Sequence, residues 1–307
     1  MPCLYFSQFV RHLQADAAGA SIDLLVKGGI CHTLVVSAET GATKSDSVQY
    51  SVTVASASSG PGYTSNLQNS LYFNGTNAYL SRSQSAGNRS IWTLSIWAKH
   101  SDIPAGIYFA AGNSPRFIIG PYLSDSRFAL LIYPGYAINA STSTLFRDTS
   151  SWYHFVIAGN TGEATLGAGL KVYHNGQLLT YSGTSYAAQN NTLPINESGK
   201  TVYLGQDTQG SNYFNGYMAN IHFIDGHALN PNYFAKTDTA TGSWIPKDYD
   251  GTGLSGDTAV TGTTDQKYGS NGFHLDFRPS SLVYNGSTLT TVNDVSGRTT
   301  PNNWTAN

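Results

Sequence analysis

Charge is what this sequence has least of. Only 11% of its 307 residues are Asp, Glu, Lys or Arg, against about a quarter in an ordinary globular domain. The 16 basic and 18 acidic residues nearly cancel, and no run of like charges forms an arm or a tail. No summed field is therefore available to attract a polyanion, and neither nucleic acid nor an anionic membrane is an expected partner. Cysteine is almost absent as well. Cys3 and Cys31 are the only two, which excludes a disulfide framework and leaves the core and hydrogen bonds to hold the fold. Two free thiols are the expected state, with a single bridge between them left open. No apolar run approaches the roughly 20 residues that span a bilayer. Residues 1–20 carry Arg11, His12 and Asp16 where a secretory leader needs an uninterrupted apolar stretch, so the chain reads as soluble and not exported by the general route.

Helical periodicity is nearly missing too. Apolar residues come in short runs at 70–73, 92–99, 116–120, 128–133, 152–158, 170–174, 201–204 and 217–224. Turn signals such as Asn74-Gly75, Asn175-Gly176 and Asp225-Gly226 separate them, and these pairs reach left-handed backbone conformations cheaply. With 32 glycines and 20 tyrosines, the composition predicts an all-β chain. Within 92–99, Trp92, Leu94, Ile96 and Ala98 share one face and Trp97 takes the other, which makes this a central strand. Trp97 and Trp152 are expected in the core. One short helix is expected at 230–236, where Asn230 can cap and Pro231 suits the first turn.

Three regions follow. Residues 1–65 form an N-terminal attachment or assembly segment, in which 30–38 and 47–55 read as a β-hairpin followed by a small-residue linker at 57–62. Residues 66–235 form the main domain, and 236–307 a C-terminal extension. Forty residues are too few for a whole immunoglobulin-like domain, although the 47–54 alternation is similar to the last strands of one.

The segments SLYFNGTNAYLSR (70–82), WTLSIWAKHS (92–101), WYHFV (152–156), KVYHNGQ (171–177), YLGQ (203–206) and YFNGYMANIHFIDGHALNPNYF (213–234) occur in that order. Together they resemble a laminin-G-like, concanavalin A-like lectin domain, in the form common in phage virion and tail-fibre proteins. The resemblance implies a two-sheet antiparallel jelly-roll sandwich. Residues 271–277 and 293–298 resemble the opening strand and Asp-x-Ser-Gly turn of such domains. Either the 271–277 strand folds back to complete the sandwich, which is the expectation, or it opens a further domain.

The same fold includes glucanases, whose catalysis needs carboxylates close together on one strand. This chain has three glutamates, Glu39, Glu163 and Glu197, none in such a motif. No G-x-S-x-G elbow and no zinc-like clustering of Cys and His is present. A non-enzymatic protein is therefore expected. The resemblance admits calcium, for which Asp225, Asp276 and Asp294 are the oxygen ligands near turns, though a turn-forming role is the commoner use of such residues. Glycan binding fits what remains, because sugars offer C–H faces to aromatic rings and hydroxyls to amides. Tyr133, Tyr136, Tyr181 and Tyr186, on predicted loops, are the candidates. The resemblance further implies a place in a virion, among other virion proteins and as a homo-oligomer, with a bacterial surface glycan as ligand. Its rivals are a capsid decoration protein with no ligand and a divergent polysaccharide depolymerase.

Overall fold

The computed structural model divides the chain into two units, residues 1–64 and 65–307, and describes residues 21–26, 30–35, 67–134, 138–186 and 189–307. In the first unit Ser21–Val26 and Ile30–Val35 pair antiparallel, with Ser21 opposite Val35. Ile30–Val35 is thus a strand, but its described neighbour is the segment before it. The expected partner at 47–55 and the linker at 57–62 lie outside the described residues.

The second unit is built on two large antiparallel sheets. One has seven strands, running Gln177–Leu178, Leu170–His174, Tyr153–Asn160, Ile91–His100 and Asn215–Asp225, with Phe273–Leu275 and Leu71–Asn74 both beside the last. The other has ten, including Arg116–Gly120, Arg127–Tyr133, Ile138–Leu145 and, at one edge, Tyr181–Tyr186. Alternation decides what lies between them. Trp92, Leu94, Ile96 and Ala98 of one strand, and Phe155 and Ile157 of its neighbour, are fully buried in a core shared with Phe117, Phe128 and Leu130 of the facing sheet. Position 159 has to be glycine, since a Cβ there would lie 2.5 Å from the Trp92 ring.

The opposite face of the seven-stranded sheet is buried as well. Residues 229–268 lie over it, so that Val156, Ile224, Tyr233, Phe234, Tyr249 and Tyr268 form a second cluster. Trp97, Ala219 and Ala235 form a third. Trp97 is therefore buried as expected, but outside the sandwich interior. Trp152 corrects the sequence reading: it precedes its strand and is only half-buried against that outer cluster. In Asn215–Asp225 one extra residue is accommodated between Ala219 and His222, where Asn220 has φ 44°. This bulge shifts the phase of alternation, so Met218 and Phe223 both point inward.

Residues beyond 236 supply strands to both sheets. Phe273 pairs with Phe223 and Leu275 with Ile221. Leu282–Asn285, Thr288–Val292 and Trp304–Ala306 extend the ten-stranded sheet, and Trp304 is fully buried. The helix expected at 230–236 is a 3-10 turn, Pro231–Tyr233, whose Asn230 side chain accepts the Asn232 N–H. Two single-turn helices were not foreseen, Leu166–Gly169 and Thr264–Tyr268. The second carries a capping box between Thr263 and Gln266, a signal present in the sequence.

Candidate functional site

Concavity is concentrated on the outer face of the seven-stranded sheet. A cleft of about 780 Å³ there lies between the ends of two strands and the loops at 226–230 and 256–261. The strands contribute Ala158, Asn160, Lys171 and Tyr173. Val172 turns into the core, so a period of two carries Lys171 and Tyr173 outward.

The loops are held by hydrogen bonds. Thr93 Oγ1 donates to the His227 carbonyl (2.7 Å) and accepts the Leu229 N–H (2.8 Å). Asp257 accepts from Asn230 Nδ2 (2.6 Å), Asn232 Nδ2 (3.2 Å) and Leu254 N–H (2.9 Å). Although its partial burial works the other way, these bonds keep that carboxyl below the usual range. The Tyr233 hydroxyl donates to the Thr258 carbonyl. Tyr173 is half-buried, and burial together with the nearby Asp257 charge pushes its hydroxyl up, so it stays protonated. That hydroxyl bonds no protein group among the described residues. The cleft thus offers an aromatic side chain, an ammonium, a carboxylate at Glu163, and the polar groups of Asn160, His227 and Thr258.

A second cleft of about 440 Å³ is lined by Trp97, Trp152, Trp244 and Asn175. A third, about 220 Å³, holds Asn220, Asp248, His274 and Asp276. The buried histidines of this face are neutral. His154 is driven down to about 3, chiefly by burial, and His222, stacked 3.9 Å from His274, lies well below the ordinary value.

The tyrosines named from the sequence are not brought together. Tyr181 and Tyr186 lie in an edge strand and pack against the core. Their hydroxyls donate to the Leu170 carbonyl (2.7 Å) and the Glu163 carbonyl (3.3 Å). Tyr133 ends a strand, 39% exposed, with the Arg116 guanidinium 4.9 Å from its ring centroid. Tyr136 lies outside the described residues.

The aspartates likewise fall into hydrogen-bond networks. Asp225 is buried and accepts the Asn88 N–H (2.7 Å), the Asn271 N–H (3.0 Å) and Asn196 Nδ2 (3.0 Å). Asp294 accepts the N–H groups of His274, Ser296 and Asn302 at 2.8–2.9 Å. Asp276 accepts from Arg278 and from Ser281 Oγ (2.8 Å). Among the described residues no group of three or more His, Cys, Asp or Glu side chains is placed to hold a metal ion.

The sequence profile of the concanavalin A-like lectin/glucanases superfamily matches residues 74–232, just over half of the chain. The chain belongs to that superfamily. No curated protein matches it. Among solved structures it is similar to a heptameric SAP-like pentraxin from Limulus polyphemus, at 18% identity over 52% of this chain and 76% of the other, with TM-score 0.39. Domain 4 of the extracellular arabinanase AbnA from Geobacillus stearothermophilus, in complex with arabinotriose, is 18% identical over 53% and 72%, TM-score 0.41. A putative carbohydrate binding protein from Bacteroides ovatus is 16% identical over 77% and 57%, TM-score 0.45.

Sequence reasoning passed over the residues that line the large cleft. Lys171 and Tyr173 were within reach, since K-V-Y-H alternates around Val172. Asp257, His227 and Thr258 were not, because loops brought over a sheet leave no period.

Proposed function

We propose that this chain is a carbohydrate-binding module that holds a glycan without cleaving it, in the large cleft. The observation that carries the reading is the lining itself: Tyr173 beside amide, hydroxyl and charged groups in a cleft of about 780 Å³. Such a mixture suits a ligand with alternating C–H faces and hydroxyls, and a cleft with convergent polar groups is the place to look for one. Superfamily membership supports a lectin as readily as a glucanase. The acids favour the lectin: both Asp257 oxygens receive protein donors and a Glu163 oxygen accepts from Asn160 Nδ2 (3.5 Å), so the cleft holds no pair of free carboxylates. On a glycan array of bacterial surface polysaccharides, Lys171→Ala and Tyr173→Phe are each expected to weaken the strongest signal at least tenfold with unchanged melting temperature. Unaltered binding by both, or release of reducing ends from the bound polysaccharide, would overturn the proposal.

The finer setting we infer is a phage particle, where the chain serves as a fibre or tail-associated component. Support comes from the ordered segments between 70 and 234, which resemble domains of such proteins. The N-terminal unit is the assembly element in this reading, because its sequence carries too few strands to bury a core alone. Light scattering is expected to give a multiple of 32.9 kDa for the full chain and a monomer for a chain starting at Ser65. Equal monomeric masses would remove the assembly role. Gold-labelled antibody that fails to decorate intact particles would remove the virion setting.

A further inference from the structure

The second cleft differs in chemistry from the first. Of the side chains that line it none is charged, whereas Lys171, Glu163 and Asp257 all border the larger one. It is built around tryptophan, and two of the three rings are fixed on His154. Trp97 is 4% exposed and stacks on His154, centroids 4.6 Å apart and planes within 15°. The His154 ring is bonded at both nitrogens, by Trp244 Nε1 on Nδ1 and by Ser95 Oγ on Nε2, each at 2.9 Å. An indole N–H can only donate. Nδ1 is therefore the acceptor, and the single proton of the neutral ring sits on Nε2, facing Ser95. Trp244 comes from the Ala235–Thr237 and Trp244–Pro246 hairpin and is pinned to the sheet by this bond.

Gly176 makes room for that ring. It sits in the Asn175-Gly176 turn with both φ angles positive, 45° and 84°, and a Cβ on it would lie 3.1–3.3 Å from the Trp244 six-membered ring. Asn175 Oδ1 accepts the His154 N–H at 2.9 Å, while its amide nitrogen has no protein acceptor among the described residues. Trp152 stands half-buried at the rim.

We propose that this tryptophan cleft is a second, separate carbohydrate site, suited to the apolar face of an uncharged hexopyranose. The sugar ring stacks on the exposed parts of Trp152 and Trp244, and its hydroxyls meet the Asn175 amide. An acidic sugar is disfavoured, because no cation borders the cleft to offset desolvation of its carboxylate. The site shares with the function proposed above only the class of ligand and stands on different residues.

The test is a titration of the full chain by tryptophan fluorescence with maltopentaose, cellopentaose, mannopentaose and galactopentaose, and with trigalacturonic acid as the charged control. At least one neutral sugar is expected to give a saturable change, and the control none. Trp152→Ala is expected to weaken that sugar at least tenfold, and Lys171→Ala to leave it unchanged. Ser243→Arg, an exposed rim substitution that fills the cleft without touching the core, is expected to abolish it. No response to any of the four neutral sugars overturns the proposal, and so does parental affinity in Trp152→Ala and Ser243→Arg. A response lost in Lys171→Ala and kept in Trp152→Ala would place the sugar in the large cleft, sustaining that site and overturning this one. The reverse pattern on the polysaccharide array, loss in Trp152→Ala with Lys171→Ala unaffected, would sink the large cleft alone.

Discussion

Replacing Trp92 by alanine is expected to destabilise the protein by about 3–5 kcal/mol, the range for deleting a large aromatic side chain from a packed core. Its ring is fully buried between the sheets. It meets Phe117 edge-on at 5.6 Å and stacks with Phe223 at 6.4 Å. The glycine at 159 cannot collapse into the space, having no side chain to move. For a unit of this size each kcal/mol shifts the melting temperature by about 2–4 °C, so a fall of roughly 6–20 °C is the readout. Trp152→Ala is expected to cost only about 1 kcal/mol, since that ring is half-exposed at the sheet surface. Equal shifts for the two would show that the inner and outer faces have been assigned wrongly.

Acidification is expected to have the next largest effect. Burial lowers His154 to about 3, and His100 and His274 to about 4, against 6.5 for the free side chain. The folded protein thus refuses protons that the unfolded chain accepts. Unfolding takes up protons once the pH drops below about 6.5, so this part of the stability is present above that pH and is lost as the pH falls toward 4. Each unit of difference is worth about 1.4 kcal/mol. All three histidines act in the same direction, so their losses of stability add as the pH falls. Asp225, held above its ordinary value mainly by burial, works weakly in the opposite direction. Melting temperatures should be flat from pH 8 to 6.5 and then fall steeply. A curve still flat at pH 4 would mean that these rings are accessible to protons in the folded state.

The sandwich was legible because its signals are local. Alternation in 92–98 separates Trp92, Leu94, Ile96 and Ala98 from Trp97 without any partner strand, and the glycine turns mark where strands end. The candidate site was not legible, for a different reason in each case. Tyr181 and Tyr186 lie in a stretch of Ser, Gly and Thr that reads as a loop. Pairing with Ile138–Leu145 makes it a strand, and its register shifts between Tyr181 and Thr184. Tyr133 meets Arg116 because the two are opposed across the sheet, a relation that depends on register. Asp225, at the end of its strand, accepts from Asn88, Asn196 and Asn271, partners far away in sequence that no local pattern could supply. What sequence cannot announce is which residues cover the outer face of the seven-stranded sheet: that wall is assembled from residues 226–268, mostly loops with no period of their own.

That wall sets a distance. The Tyr153–Asn160 strand has Trp152 of the tryptophan cleft just before its first residue and Asn160 of the large cleft as its last. Eight residues of extended chain span about 26 Å, and the strand lies inside a sheet covered on both faces, so the interval is rigid. A polymer that engaged both clefts would bind the second intramolecularly, at a high effective concentration. Retention would then rise abruptly once oligosaccharides become long enough to bridge the interval, and shorter ones would exchange from either cleft independently. The sheet would act as a length gauge, discriminating polysaccharide from its own breakdown products by span, even where every sugar unit is the same.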